Sequence, residues 1–335
     1  MNHRVTLVPG DSVGPEVAVA TQRLIAATGV QIQWDLAEAG TVAVESCGDA
    51  MPAATLESIQ RNRVALKGRV STPLGKGYES PNVRLRKTLE LYAAVRPIRS
   101  QAGLKSRYDD VDLVIIREAT EDVYAGIEHV VVPGVVQSLK VTTRVACERV
   151  IRFAFEYAQS RNRPSVTIVH KANIMKKSDG LFLEVGNEVS AEFPGIKCRS
   201  IIADNACMQL VREPGQFDVL VSQNLFGDLL SDLGAGLVGG ISGVYGVMRG
   251  DSDVHVFEAI HGFAPALEGK GLANPLTLIQ PACAMLRHLG ETTASEMITR
   301  GVGQCLSRGE STRDLGGTLS TEGFVDAVIA GFQSA

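Results

Sequence analysis

Two aspartates four residues apart, Asp228 and Asp232 in NLFGDLLSDLG, carry the sharpest chemical signal in the sequence. On a helix, side chains at i and i+4 share one face. Two carboxylates held there repel unless a positive group sits between them. A hard divalent cation with oxygen ligands, Mg²⁺ or Mn²⁺, meets that need. The alternative is an exposed acidic helix face. Asp204 follows the apolar run 201–203 and so stands where a strand ends, at the edge where α/β sheets bind ligands. It reads as a third oxygen ligand or as a helix N-cap.

A second group is cationic. Arg84 and Arg86 lie in SPNVRLRKTLELYAAVRP, Arg96 closes that segment, and Arg117 ends the run VDLVIIR. Arginine forms bidentate pairs with carboxylates, so several converging arginines point to a substrate bearing several carboxylates. A single arginine is more often a solvated surface residue. Arg96 and Arg117 fit that reading poorly, because each terminates an apolar run. Ser80 and Asn82 precede a predicted helix, where they either cap it or bind a ligand carboxylate. Lys171 in VTIVHKANIMK sits just past another apolar run; a partly desolvated lysine there can exchange protons. Tyr124 in EDVYAGIEH is a possible phenolic acid. His170 reads as a packing or orienting group.

These residues need a scaffold. Apolar or β-branched runs at 5–8, 64–66, 113–116, 166–169, 201–203 and 219–221 alternate with helical patterns, for example at 142–159, 179–193 and 224–233. A helix also starts near Pro15 and Glu16. This order predicts an α/β protein with largely parallel central strands. Residues 123–140 depart from it. Two β-rich halves flank Pro133 and Gly134, a hairpin-like ribbon able to pair with its copy in a second subunit. Gly234, Gly236 and Gly239 spell GxGxxG, but a helical pattern precedes them and a glycine-rich loop follows. The dinucleotide fingerprint requires the reverse, so the glycines read as a helix-ending loop.

The 335 residues suffice for about two domains. The net charge of −4, with a pI near 5.9, excludes a generally basic nucleic-acid binder. No apolar run approaches the roughly 18 residues of a membrane span, and the N-terminal run is too short for a signal peptide. Cys47, Cys147, Cys198, Cys207, Cys283 and Cys305 form no CxxC pair, the usage of a reducing compartment. The expectation is a cytoplasmic protein that binds neither membrane nor nucleic acid.

In order along the chain, VPGDSVGPEV (8–17), LKGRVSTP (66–73), SPNVRLRKTLELYAAVRP (80–97), REATEDVYAGIEH (117–129), VHKANIMK (169–176), FDVLVSQNLFGDLLSDLGAGLVGG (217–240), HGFAPALEGKGLANP (261–275) and TRDLGGTLSTEGF (312–324) resemble the metal-dependent β-decarboxylating dehydrogenases of isocitrate and 3-isopropylmalate. The resemblance implies a non-Rossmann fold of two α/β domains plus a β clasp. The large domain would take residues 1–96 and 241–335, and the small one 97–240, with the clasp at about 123–141. It implies a homodimer whose active sites draw on both subunits. Arg86, Arg96 and Arg117, with Ser80 and Asn82, would bind the substrate. Tyr124 and Lys171 would transfer protons, Lys171 from the neighbouring subunit. Asp228 and Asp232, with Asp204 from the partner, would hold Mg²⁺ or Mn²⁺. The dinucleotide would lie along His261, Gly262, Phe263 and Ala264, near Thr72, Asn274 and Asp314.

Ser80 and Asn82 resemble the isocitrate branch, since a hydroxyl and an amide are poor company for an isopropyl group. The implied reaction is oxidative decarboxylation of isocitrate or a close 2-hydroxy polyacid. Homoisocitrate, a phosphonate analogue, 3-isopropylmalate, and tartrate or malate are the alternatives, as is a non-catalytic regulatory subunit. The chain departs from the usual family pattern at Ser12 and Val13, at Arg69 to Ser71 (usually proline-leucine-glycine), at Ala119 and at Phe263. Ala266 and Leu267 stand where NAD-dependent members usually carry an acid and NADP-dependent members often a lysine and a tyrosine. TRDLGG resembles the NAD type, so NAD is the expected cofactor, with NADP open.

Overall fold

Alternation within the strands decides which residues can reach a common site. A computed structural model describes residues 3–74 and 77–333. The remaining residues of the expected large domain (1, 2, 75, 76, 334 and 335) lie outside the described ones. In chain order the elements are β1 (His3–Val8), α1 (Gly14–Ala27), β2 (Ile32–Leu36), α2 (Thr41–Cys47), α3 (Ala53–Asn62), β3 (Val64–Lys67), α4 (Pro81–Thr88), β4 (Ala93–Arg99), β5 (Asp112–Glu118), β6 (Glu128–Val132), β7 (Val135–Ser138), α5 (Arg144–Ser160), β8 (Ser165–His170), α6 (Ser178–Ser190), β9 (Lys197–Ile202), α7 (Ala203–Arg212), β10 (Val219–Ser222), α8 (Asn224–Leu237), β11 (Tyr245–Arg249), β12 (His255–Ala259), α9 (Leu276–His288), α10 (Thr292–Ser307) and α11 (Thr321–Gln333).

Ten strands form one sheet in the order β2-β1-β3-β12-β11-β4-β5-β10-β8-β9. The sheet is mixed. β2, β1, β3 and β12 are mutually parallel, as are β5, β10, β8 and β9, but β11 is antiparallel to both β12 and β4, and β4 to β5. The two parallel blocks therefore run in opposite directions. Nothing in the local pattern of 93–99 or 245–249 marks this reversal, which depends on long-range pairing.

Helices cover both faces. On one, α1, α9, α10 and α11 bury Leu24, Ile279, Ile298 and Phe324 against β1, β3 and β12, and α5 and α6 bury Phe155 and Phe182 against β8 and β10. On the other, α3 and α4 bury Ile59 and Leu85, and α7 and α8 bury Leu210 and Leu230. Each such side chain stabilises the fold by about 1.5–3 kcal/mol. β6 and β7 pair as the expected ribbon, and all nine of their residues are exposed. Among the described residues no helix is long and apolar enough to cross a membrane.

Three local expectations are corrected. The run at 201–203 ends as a strand at Ile202, and Ala203 opens α7. Ile202 is the N-cap, so Asp204 is a first-turn residue and not a cap. β4 continues past Arg96 to Arg99, so Arg96 does not terminate its run but is buried inside the strand. Gly234 and Gly236 lie within α8, and only Gly239 and Gly240, beyond it, take positive φ.

Candidate active site

Antiparallel pairing sets Ala94 opposite Arg117, and the register of β11 on β4 sets Gly246 opposite Arg96. Gly246 faces Glu258, which faces Lys67. Directly opposed residues share a sheet face, and so do residues two apart along a strand. Lys67, Glu258, Arg96 and Arg117 thus project to one side. The guanidinium of Arg96 crosses β11 above Gly246, where a Cβ would lie 1.1 Å from Nη1. It donates to Glu258 Oε1 at 2.7 Å, and Lys67 Nζ lies 3.1 Å from Glu258 Oε2. All three are buried. Burial alone would raise the Glu258 pKa, but Lys67, Arg96 and Arg86 hold it far below the usual carboxylate range. Burial lowers Lys67, with Glu258 opposing.

At the other end of this row, Arg117 is 1% exposed. Its Nε donates to Asn224 Oδ1 at 2.7 Å, and its Nη1 pairs with Asp228 Oδ1. The Tyr124 hydroxyl donates to Asp228 Oδ2, and the Arg117 guanidinium stands 4.9 Å from the Tyr124 ring centroid. Burial first, then the bond to Asp228, raises the Tyr124 pKa, so the phenol keeps its proton. α8 passes this close because Gly227 has no side chain: a Cβ there would lie 2.6 Å from Arg117 Cβ. Arg86, on α4, joins the two ends through the field of Arg117, Glu258, Arg96 and Asp228. It makes no side-chain hydrogen bond or ion pair among the described residues, and burial lowers its pKa to about 10.

The arginines are underused. Arg96 Nη1 and Arg117 Nη2 are buried without a hydrogen-bond partner. Buried donors left unpaired cost roughly 1–3 kcal/mol each, more when charged, unless a ligand completes them. Asp232 on α8 makes no hydrogen bond or ion pair among the described residues, and partial burial, then Asp228, pushes its pKa up. Two hard carboxylates one turn apart, one of them unpartnered, suit a divalent cation. Each Asp228 oxygen keeps a second lone pair for such a ligand.

The remaining predicted residues divide. Ser80 caps α4, accepting from Val83 N at 3.4 Å, and its hydroxyl lies 3.0 Å from that of Thr72. Asn82 donates to Val70 O at 3.2 Å while its Oδ1 is buried and unpartnered. Lys171 and Asp204 pair with each other at the ends of neighbouring strands β8 and β9, and Asp204 is 70% exposed. The bond from Lys171 holds the Asp204 carboxyl below its usual range. Within one chain this pair is not brought to Tyr124, Asp228 and Asp232. Among the described residues, no three His, Cys, Asp or Glu side chains form a metal-sized group. His170 Nδ1 accepts from Ala172 N at 3.1 Å and shapes the turn that carries Lys171. Asn274 Nδ2 donates to Asp314 Oδ2 at 2.8 Å, and Asn274 Oδ1 accepts from Leu276 N. His261 is buried and held neutral by burial; Gly262 follows, and Phe263 is 54% exposed, with Ala264 behind it. An apolar ring open to solvent beside neutral polar groups suits a dinucleotide.

Lys67 and Glu258 carry no role in the sequence reading, although both sit in the row with Arg96. Their signal was a lone charge inside an apolar run, VALKG and VFEAI.

A family model described as isocitrate/isopropylmalate dehydrogenase matches residues 4–328, and the chain belongs to this family. The "Isocitrate dehydrogenase (NAD) catalytic subunit 5, mitochondrial" of Arabidopsis thaliana is 47% identical over 324 residues, 96% of this chain and 87% of that protein. The "3-isopropylmalate dehydrogenase, chloroplastic" of Solanum tuberosum is 48% identical over 286 residues, 85% of this chain and 80% of that protein. The crystal structure of isocitrate dehydrogenase from Methylococcus capsulatus superposes with a TM-score of 0.95 at 46% identity, covering 99% of both chains. The expectation of a cytoplasmic protein is overturned, because curated relatives from plant, insect and mammal are mitochondrial by name. Unpaired cysteines report a reducing surrounding, which does not single out the cytoplasm.

Proposed function

We propose that the chain oxidatively decarboxylates isocitrate, with NAD as hydride acceptor and Mg²⁺ or Mn²⁺ as the metal. The observation that carries this reading is the surplus of buried positive charge. Among the described residues Lys67, Arg96 and Arg117 have only Glu258 and Asp228 as acidic partners, Arg86 beside them has none, and donors on Arg96 and Arg117 stay unpaired. A ligand with several carboxylates completes them. A metal held by Asp228 and Asp232, with Asp204 from a second copy, supplies Lewis acidity when bound, and NAD along His261, Gly262, Phe263 and Ala264, near Thr72, Asn274 and Asp314, supplies the hydride acceptor.

The chain's own side chains do the rest. Arg86, Arg96 and Arg117 orient the substrate carboxylates, and the fork geometry of each fixes the angle. The Ser80 hydroxyl and the second hydrogen of Asn82 Nδ2, whose first goes to Val70 O, offer donors to the distal carboxylate. Lys171, reaching in from a second copy, takes the hydroxyl proton as hydride leaves. Tyr124 gives its proton to the carbon from which CO₂ departs, and a raised pKa keeps that proton in place beforehand. In 3-isopropylmalate an alkyl group would meet the Ser80 hydroxyl and the Asn82 amide without satisfying their donors, which disfavours that substrate.

A homodimer with shared sites, and a division into 1–96 with 241–335 against 97–240, belong to the same proposal. The test uses Lys171→Ala and Asp228→Asn. Each alone should lose turnover by about a hundredfold or more. Mixed and re-annealed, they should regain up to about a quarter of the parent rate, because half of the sites in hetero-dimers are whole. Near-parental turnover in either variant, or no recovery on mixing, defeats the assignment.

A further inference from the structure

The loop after β3 carries a cation that no role above absorbs. Arg69 stands between Lys67 and the irregular segment at Ser71 and Thr72, at a position where the resembled family usually has proline. Its backbone is pinned: Arg69 O accepts from Asp11 N at 2.8 Å, and Gly10, at φ 80°, leaves only enough room for that contact. Gly68 N is tied to Val8 O at 2.8 Å. Among the described residues the guanidinium makes a single hydrogen bond, from Nη1 to His261 O at 2.7 Å, and no ion pair. Nε is buried with no partner. The charge acts on His261 on one side, and on Asp232 together with Arg96 and Arg117 on the other. Arg69 therefore lies between the arginine row and the 261–264 loop. Ser71 Oγ and Asn82 Oδ1, both buried and unpartnered, belong to the same stretch of polypeptide or hydrogen-bond to it.

From this geometry we infer that Arg69 is a further ligand-binding residue, which takes an anionic oxygen of carboxylate or phosphate type at the junction of the substrate cluster and the dinucleotide loop. The inference rests on the reading that the cleft takes a polyanion. A guanidinium offers five donors, and this one has a single neutral acceptor. A fixed backbone and one anchored nitrogen pre-orient the others, so little side-chain entropy is lost when an oxyanion arrives. Proline at this position supplies neither charge nor donor, so the contact would be particular to chains like this one. The anion has two possible sources, a second charge on the substrate or a phosphate of the dinucleotide.

Calorimetry on the purified chain separates them. Isocitrate with Mg²⁺, and NAD alone, are titrated into the parent, Arg69→Met and Arg69→Lys, with thermal melting of each. The expected result is a dissociation constant raised roughly ten- to a hundredfold for one ligand in Arg69→Met, with partial recovery in Arg69→Lys and a melting temperature close to the parent's. Weakened isocitrate assigns the anion to the substrate, and weakened NAD to the dinucleotide. Unchanged binding of both ligands overturns the inference. So does equal loss in the two variants together with a lowered melting temperature, which would make Arg69 a strut for His261 and nothing more. A parent that binds neither ligand defeats the proposed function itself, and the assignment of Arg69 with it.

Discussion

Glu258 is an acidic side chain shared by two buried cations, Lys67 and Arg96. Removing a single partner from a buried ionic group is more damaging than never having built it, because the remaining charges stay desolvated. Glu258→Gln should therefore lower stability by about 3–5 kcal/mol in urea unfolding. Gly246→Ala probes the same row from the other side. Its Cβ would occupy the place of Arg96 Nη1, so the guanidinium must leave Glu258. The expected outcome is isocitrate affinity weakened by about tenfold or more. Parental affinity in Gly246→Ala would show that Arg96 does not need its path across β11. Much of this scale was legible from sequence. Arg86, Arg96, Arg117, Tyr124, Asp228 and Asp232 do converge. Lys67 and Glu258 were not legible, since a lone charge in an apolar run acquires meaning only when strand pairing sets it opposite its counter-charge.

At the scale of elements, α8 shows what spacing can and cannot predict. The i, i+4 interval placed Asp228 and Asp232 on one face, and the helix is there. Asp204 was read instead from its place at a strand end, and the end of β9 fixes an edge but not which neighbour the side chain meets. It meets Lys171. The junction of β12 and α9 carries a different prediction. The His255 and His288 rings lie 4.2 Å apart, between centroids, with Asp253 and Arg249 nearby. Burial, then His288, lowers His255 to about 4. A folded-state pKa below the unfolded value of about 6.5 means that the unfolded chain binds the proton more tightly. Stability is then full above pH 6.5 and falls as the pH drops from there toward 4, by up to roughly 3 kcal/mol. Urea midpoints compared at pH 7.5 and 5 should fall less in His255→Gln than in the parent. An identical fall in both would remove His255 from the pH response.

At the scale of the whole molecule, two opposed parallel blocks joined through β11 and β4 bring the row of charges to one face, and α8 covers it from that side. The α/β class and six of the strands were readable from apolar runs. The antiparallel seam was not, because strand direction is set by partners far away in the chain. The β6–β7 ribbon exposes Val130, Val131, Val132, Val135 and Val136. So much β-branched surface on an isolated two-stranded ribbon calls for a cover. If a second copy provides it, Val136→Lys should yield a monomer in sedimentation, with turnover reduced in proportion because Lys171 no longer reaches its site. A dimer that persists in that variant would place the interface elsewhere.

The most direct test of the proposed chemistry follows NAD reduction and CO₂ release together in the purified chain, with Mg²⁺ and a panel of isocitrate, homoisocitrate, 3-isopropylmalate and malate. The expected result is one NADH and one CO₂ per isocitrate, with at least tenfold preference for isocitrate over 3-isopropylmalate, on the scale of one unsatisfied buried polar contact. No turnover of isocitrate by the chain alone, or a preference for the alkyl substrate, would contradict it.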